Sequence, residues 1–426
     1  MNKKKLAITK FLIPFESVTS CNRNLGWFTK VPKAPPDNIF GVLDAYNKDK
    51  SKEKVNLTVG AYRDDNGKPY VLQTVREAEK RIRCKNMNKE YLGLLGNLNF
   101  NKLTFNFALG EDNKFLKNGR AALCQSLSGT GAVFIAAVFL STFFPKNKVA
   151  YVSKPTWGNH ISLLERAGLC VKTYRYYNTE KVAIDFEGML DDINKMPDEC
   201  IILFHAAAHN PTGFDPNCEQ WQQLADLCKK KSLYVIFDNA YQGFATGDAE
   251  RDATSIRIFA ENDINMAICQ SFSKNMGLYG ERIGCCAFIT DGPAETEIAE
   301  SQLKFITRSM YSNPPIHGAR IVEEILSNVD LKNRWLQEVK KMAERMRSMR
   351  ASLRDGIVRA GSKLNWDHIT NQIGMFSFTG VKKEAVAKLK KDFHVYLLNS
   401  GRISVSGLNS KNVEYVGAAF HKVTSV

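Results

Sequence analysis

The chain has 426 residues, 44% hydrophobic and 24% charged, which is the balance of a globular protein long enough for two or three domains. A net charge of +15 raises a polyanion or membrane surface as partner, but the basic residues are dispersed, without an arginine-rich arm or interleaved aromatics, so nucleic acid is not expected. The longest apolar run, residues 131–140, is too short to span a bilayer and reads as a buried helix.

In chain order, residues 1–24 come first, with Lys3, Lys4, Lys5, Lys10 and Arg23 against Glu16 alone. That stretch is similar to a mitochondrial presequence; read instead as a plain basic extension, it leaves a cytoplasmic location open. From about residue 72 to 310 strands alternate with helices. Strands are expected near 149–153, 171–176, 200–206, 234–239, 265–271 and 283–289, and helices over 157–168, 218–231, 254–261 and 293–308. Crossovers of that length favour parallel strands and define an α/β sheet. Residues 330–360 read as one long helix. Short strands at 374–380, 395–398 and 403–405 around two helical segments then form a smaller α+β unit. The expected division is 1–24 targeting segment, 25–70 N-terminal arm with part of the small domain, 71–330 large domain, and 331–426 linking helix and small domain.

The most informative stretch is Ser271-Phe-Ser-Lys-Asn-Met-Gly-Leu-Tyr-Gly-Glu-Arg282. A lysine whose pKa is lowered by burial or neighbouring cations can form a Schiff base with an aldehyde cofactor and later move a proton, and Lys274, just after two serines and eight residues before Arg282, is the candidate. Ser271, Ser273 and Arg282 would then hold the cofactor's phosphate. Taken alone the run is also an ordinary basic loop. Upstream, an apolar strand delivers Asp238 and Tyr241 at its end. Pyridoxal phosphate needs both, a carboxylate on the ring nitrogen and a phenol on the ring oxygen. Another strand ends at Asn210-Pro-Thr-Gly, a turn that exposes Asn210 at the same sheet edge. Ser128, Gly129 and Thr130 open an apolar helix where backbone amides can approach a phosphate. His205 and His209 have a spacing that binds zinc on a helix, but they sit on strand and turn without a third ligand, and no metal is expected. Ten cysteines without a CxxC pair read as reduced, mostly buried thiols.

Together with Pro35-Pro-Asp37, Val59-Gly-Ala-Tyr-Arg-Asp-Asp-Asn-Gly-Lys-Pro-Tyr70, Glu90-Tyr-Leu92, Lys154-Pro-Thr-Trp-Gly-Asn-His160, Ser312-Asn-Pro-Pro315, Gln372-Ile-Gly-Met-Phe-Ser-Phe378 and Gly401-Arg-Ile-Ser-Val405, these motifs resemble the class I aminotransferases over nearly the whole chain from Trp27 onward. The resemblance implies a large pyridoxal-phosphate domain of fold type I with a mostly parallel sheet, plus a smaller α+β domain with which the segment to about residue 70 packs. It implies Trp157 stacked on the cofactor ring and touching substrate, and His160 supporting Asp238 from behind. It places Arg402, Asn210 and the backbone of Gly60 on the substrate's α-carboxylate, and Asn210 also among the residues that hold the cofactor. It also implies a homodimer, with Arg308 of the neighbouring subunit on a distal carboxylate and its Tyr91 on the phosphate. Dicarboxylic amino and keto acids follow as substrates in a ping-pong cycle, with Lys274, Asp238 and Tyr241 as the catalytic groups. An aromatic or kynurenine-type preference on the same fold, or an added lipid- or fatty-acid-binding role, is the alternative. The chain departs from the family pattern at Gly93, at Val133-Phe-Ile-Ala136, and at Thr58, Ala207, Asn239 and Gly280, none of which removes a reacting group.

Overall fold

The computed structural model describes residues 26–34, 37 and 39–425, and the basic segment 1–24 lies outside them. Two units are distinguished, Met1–Asp37 and Asn38–Val426. Within the first, the amide of Thr29 donates to the carbonyl of Gly26 at 3.0 Å, closing a turn that exposes Trp27 and Phe28.

The second unit is organised on a seven-stranded sheet. Its spatial order is Ala121–Leu127, Ile283–Ile289, Met266–Ser271, Tyr234–Asn239, Ile201–His205, Val149–Lys154 and Cys170–Arg175. The inner strands are almost wholly buried runs of Ile, Val, Leu, Phe and Met, as strands covered on both faces must be. The last five run parallel to one another, and their carboxyl ends bring Ser271, Asp238 and His205 to one edge.

Two differences from expectation stand out. Ile283–Ile289 is antiparallel to both neighbours, because the link from Ser271 is too short for a crossover helix and the chain folds straight back. The edge strand Ala121–Leu127 has no expected counterpart; its alanine-, leucine- and cysteine-containing run lacks a period that separates strand from buried helix.

One sheet face packs on an aromatic cluster of Phe204, Trp221, Phe237 and Phe259, with the last two edge-to-face at 5.0 Å. The other is covered by the helix Ser128–Phe143, the expected buried apolar helix. Val133, Ile135 and Ala136 are fully buried there against Ala267, Cys269 and Cys286, which gives the unusual Val-Phe-Ile-Ala run a packing role.

The long helix spans Val329–Arg359, and its buried Trp335 donates its indole N–H to the carbonyl of Asn275 at 2.8 Å, next to Lys274. Beyond it are two small sheets. Val55–Asn56 pairs parallel with Val395–Tyr396, and Phe376–Phe378 pairs antiparallel with Arg402–Ser404, setting Phe378 opposite Arg402. The helices Lys383–Phe393 and Val413–Thr424 complete this part.

Candidate active site

A cavity of about 220 Å³ opens at the carboxyl edge of the parallel strands. Ser128, Gly129, Thr130, Trp157, Asn210, Asp238, Tyr241, Ser271, Ser273, Lys274, Arg282, Arg402 and Gly60 all line it. These residues come from loops and strand ends spread over most of the chain, so their meeting is a property of the topology.

At one end, the helix Ser128–Phe143 begins without a side-chain cap hydrogen bond from its N-cap residue Leu127, so no cap side chain occupies its first amides. Ser128 enters it at φ 62°, and its hydroxyl lies 2.9 Å from that of Ser271 and 2.7 Å from that of Ser273. Gly129 is pressed close to the strand, since a Cβ there would stand 3.2 Å from the Ser271 Cβ and 3.8 Å from Asp238 Oδ1. Arg282 stands at the exposed rim, its Nη1 donating to the carbonyl of Tyr279 at 3.0 Å. Hydroxyls, helix amides and a guanidinium form the donor set a phosphate monoester requires.

In the middle, Lys274 lies with its Nζ 5.2 Å from the centre of the Tyr241 ring. Burial pushes the Lys274 amine below the ordinary lysine range; Asp238 pulls the other way, and the charges of Arg282 and Arg402 add to the lowering. Burial, then the charge of Asp238, raises the Tyr241 phenol.

Asp238 Oδ2 lies 3.0 Å from His160 Nε2. Burial alone would raise this carboxyl, but the His160 hydrogen bond, followed by the charge of His160, outweighs it and holds it below the usual carboxylate range. Behind it runs a polar column. His160 Nδ1 meets Thr156 Oγ1 at 2.9 Å, and that hydroxyl is 3.4 Å from His205 Nε2. His205 Nδ1 accepts from the Asn210 amide at 2.9 Å, and its ring stacks on His209 at 4.2 Å. Burial, then the charge of His160, lowers the His205 imidazole to about 3, so it is neutral. Ligand atoms of His160, His205 and Asp238 all lie within 4.8 Å of one another, but they are engaged in these hydrogen bonds. A dry, anionic carboxylate backed by a histidine column fits the ring nitrogen of pyridoxal phosphate.

At the other end, Arg402 is buried over the Phe376 ring, 4.1 Å from its centre. It donates from Nη2 to the carbonyl of Thr58 at 2.8 Å and from Nη1 to Asn210 Oδ1 at 3.2 Å. Among the described residues no carboxylate pairs with it and its Nε has no partner; burial draws the guanidinium down to about 10. Gly60 lies against the same ring, where an added Cβ would come within 2.6 Å of Phe376 Cζ.

Two expected contributors lie outside this cavity in their own chain. Tyr91 is 83% exposed, and Arg308 bonds Ser312 on the surface. The two segments are tied together, since Asn313 Nδ2 donates to the Leu92 carbonyl at 2.6 Å. Sequence reasoning missed Tyr279, Phe376, Thr156 and the true role of His205. For His205 no local motif could have served, because what sets it directly opposite Asp238 is strand register, which only the folded sheet fixes.

Fold and site together define a pyridoxal-phosphate-dependent aminotransferase. The model of the family described as aminotransferase class I and II matches residues 52–420, and the chain belongs to that family. It is 49% identical to the mitochondrial aspartate aminotransferase of Dictyostelium discoideum over 96% of both chains, and 49% identical to that of Gallus gallus over 94% of this chain and 95% of the other. Among solved structures, the cytoplasmic aspartate aminotransferase of Saccharomyces cerevisiae superposes with a TM-score of 0.91 at 44% identity, covering 93% and 98% of the two chains. An aromatic-amino-acid aminotransferase from Burkholderia pseudomallei, covalently bound to pyridoxal phosphate, superposes at 0.90 with 39% identity, covering 94% and 100%.

Proposed function

We propose that the enzyme moves the amino group between L-aspartate and 2-oxoglutarate, giving oxaloacetate and L-glutamate in a ping-pong cycle. The observation that carries this is Arg402, a buried guanidinium that among the described residues has an unpaired Nε and no carboxylate partner, opening into the cavity that holds Lys274. Its planar fork suits the α-carboxylate of an incoming amino acid, with Asn210 and the Gly60 backbone beside it. The names of the Dictyostelium and chicken relatives support aspartate as the donor.

In this reading Ser128, Gly129, Thr130, Ser271, Ser273 and Arg282 hold the cofactor phosphate, Trp157 covers the ring, and Asp238 and Tyr241 meet its nitrogen and oxygen. When bound, the cofactor supplies the electron sink that makes the substrate α-proton acidic. Lys274, whose amine burial pushes below the ordinary lysine range, takes that proton from the α-carbon and returns one on the other side of the transfer. Asp238 stays ionised through the step because His160 donates to it. Arg402 fixes the carboxylate end so that the α-carbon faces Lys274.

A homodimer completes the site, with the neighbouring subunit contributing Arg308 to the distal carboxylate and Tyr91 to the phosphate; the exposure of both in their own chain supports this. The division into a large domain of residues 71–330 and a small domain that gathers 25–70 with 331–426 is part of the same proposal. It is supported by the parallel pairing of Val55–Asn56 with Val395–Tyr396. A mitochondrial location is supported by the names of the relatives and by the basic residues ahead of position 25.

A steady-state donor panel tests the substrate assignment. Aspartate should exceed phenylalanine in kcat/KM by at least about 100-fold, since only a dicarboxylate offers Arg308 of the neighbouring subunit a distal carboxylate, and Arg308→Leu should narrow that gap. Equal activity on the two donors would overturn the assignment in favour of an aromatic preference.

A further inference from the structure

We infer that Arg350, which lies outside the cavity, is a positioning residue for the carboxylate-binding wall. This rests on the reading of Arg402 as the carboxylate anchor.

Arg350 projects from the long helix and is 2% exposed. Among the described residues it pairs with no carboxylate. Its guanidinium donates only to backbone carbonyls: Nη1 to Ile369 at 3.0 Å, and Nη2 to Ile373 at 3.2 Å, to Gly374 at 3.1 Å and to Phe376. Burying a cation without a counter-charge is costly, and an apolar side chain would fill the space more cheaply. What the cation supplies is donors for four carbonyls that converge where the chain turns through Gly374 at φ 80°.

That turn is held from both sides. The amide of Ile373 donates to the carbonyl of Gly213 at 2.8 Å, and a Cβ on Gly374 would come within 2.4 Å of the Ala208 Cβ. Residues 369–376 are therefore stacked on the segment that carries Asn210, and they end at Phe376, whose ring lies beneath Arg402. Both contacts of Arg402 that face the cavity, the Asn210 amide and the Phe376 ring, are thus tied to one guanidinium. A shift of about 1 Å in the turn would displace both, and displacements of that size are enough to degrade a binding geometry. Lys274, Asp238 and the phosphate donors take their positions from the large sheet and, among the described residues, have no hydrogen bond to this turn. Tyr241 meets the Phe376 ring edge-on at 6.2 Å, but the phosphate donors do not rest on that contact, so Arg350 should govern carboxylate affinity while those donors keep the cofactor bound.

The test is calorimetric binding of succinate, a dicarboxylate with no amino or keto group, to the cofactor-loaded enzyme as wild type, Arg350→Lys, Arg350→Met and Arg402→Leu. Cofactor retention and the cofactor absorbance are recorded on each sample. The lysine variant keeps the charge but lacks the fork, so it should fold and bind succinate about tenfold more weakly, with cofactor retention unchanged. Where Arg350→Met folds, it should be weaker still. Succinate affinity equal to wild type in Arg350→Lys, whatever happens to thermal stability, would overturn the inference. So would a parallel loss of cofactor and succinate, the signature of general loosening. Wild-type affinity in Arg402→Leu would overturn the underlying carboxylate reading, and with it this inference.

Discussion

Asp238 and His160 form a buried carboxylate–imidazole pair, with Oδ2 and Nε2 3.0 Å apart and His160 wholly enclosed. The other ring nitrogen of His160 is spent on Thr156, so the imidazole is oriented from both ends. Removing it takes away a hydrogen bond and a charge that together hold Asp238 down against its burial. His160→Ala should therefore raise the Asp238 pKa, and the acidic limb of the rate profile should move to higher pH. The sign follows from a depressed carboxyl, whose favourable ionisation is present above its pKa and lost as pH falls through it. We expect kcat to fall by about 10- to 100-fold, measured as a pH–rate profile; an unmoved acidic limb would contradict the role given to His160.

His205 makes a second pH-dependent contribution, to stability. Its imidazole is neutral in the fold, with a pKa lowered from 6.5 to about 3. Below pH 6.5 the unfolded chain takes up a proton that the fold refuses, so this group's contribution shrinks as pH falls toward 3. Relative to His205→Gln, the wild-type unfolding free energy should drop by up to about 1.4 kcal/mol per pH unit through that window. Urea unfolding of both proteins between about pH 7 and about pH 4 measures the difference. A constant difference would mean that His205 titrates in the fold.

Shared sites can be tested by complementation. The Lys274→Ala and Arg308→Leu proteins should each be nearly inactive on aspartate. Unfolding and refolding an equal mixture forms hybrids in which one site draws an intact Lys274 from one chain and an intact Arg308 from the other. Activity should recover to about a quarter of wild type, the statistical yield of one sound site in half the dimers. No recovery would mean that Arg308 serves its own chain's site.

Much of this arrangement was legible in the sequence, for physical reasons that differ by element. The strands at 149–154, 201–205, 234–239, 266–271 and 283–289 are apolar runs closed by a polar residue or turn, and expected and observed bounds agree within a residue or two. The helix Val329–Arg359 carries its own period and was equally plain. Ala121–Leu127 was not, because small apolar residues suit strand and helix alike. Within the site, Lys274, Asp238, Asn210 and Arg402 stand in local motifs that announce them. Phe376 and Arg350 do not: their significance lies in contacts with Arg402 and with four carbonyls, which only the folded chain brings together. The link between Thr156 and His205 spans 49 residues and depends on strand register rather than on a motif.

The central claim is that Lys274 carries an amino-group transfer between aspartate and 2-oxoglutarate. An absorbance titration of the cofactor-loaded protein tests it most directly, adding aspartate and then 2-oxoglutarate to wild type and to Lys274→Ala. The wild-type cofactor band should disappear with aspartate and return with 2-oxoglutarate, while the variant should show neither change at a rate within about 10⁴-fold of wild type. A wild-type band indifferent to aspartate, or a variant that cycles as fast as wild type, would contradict the account.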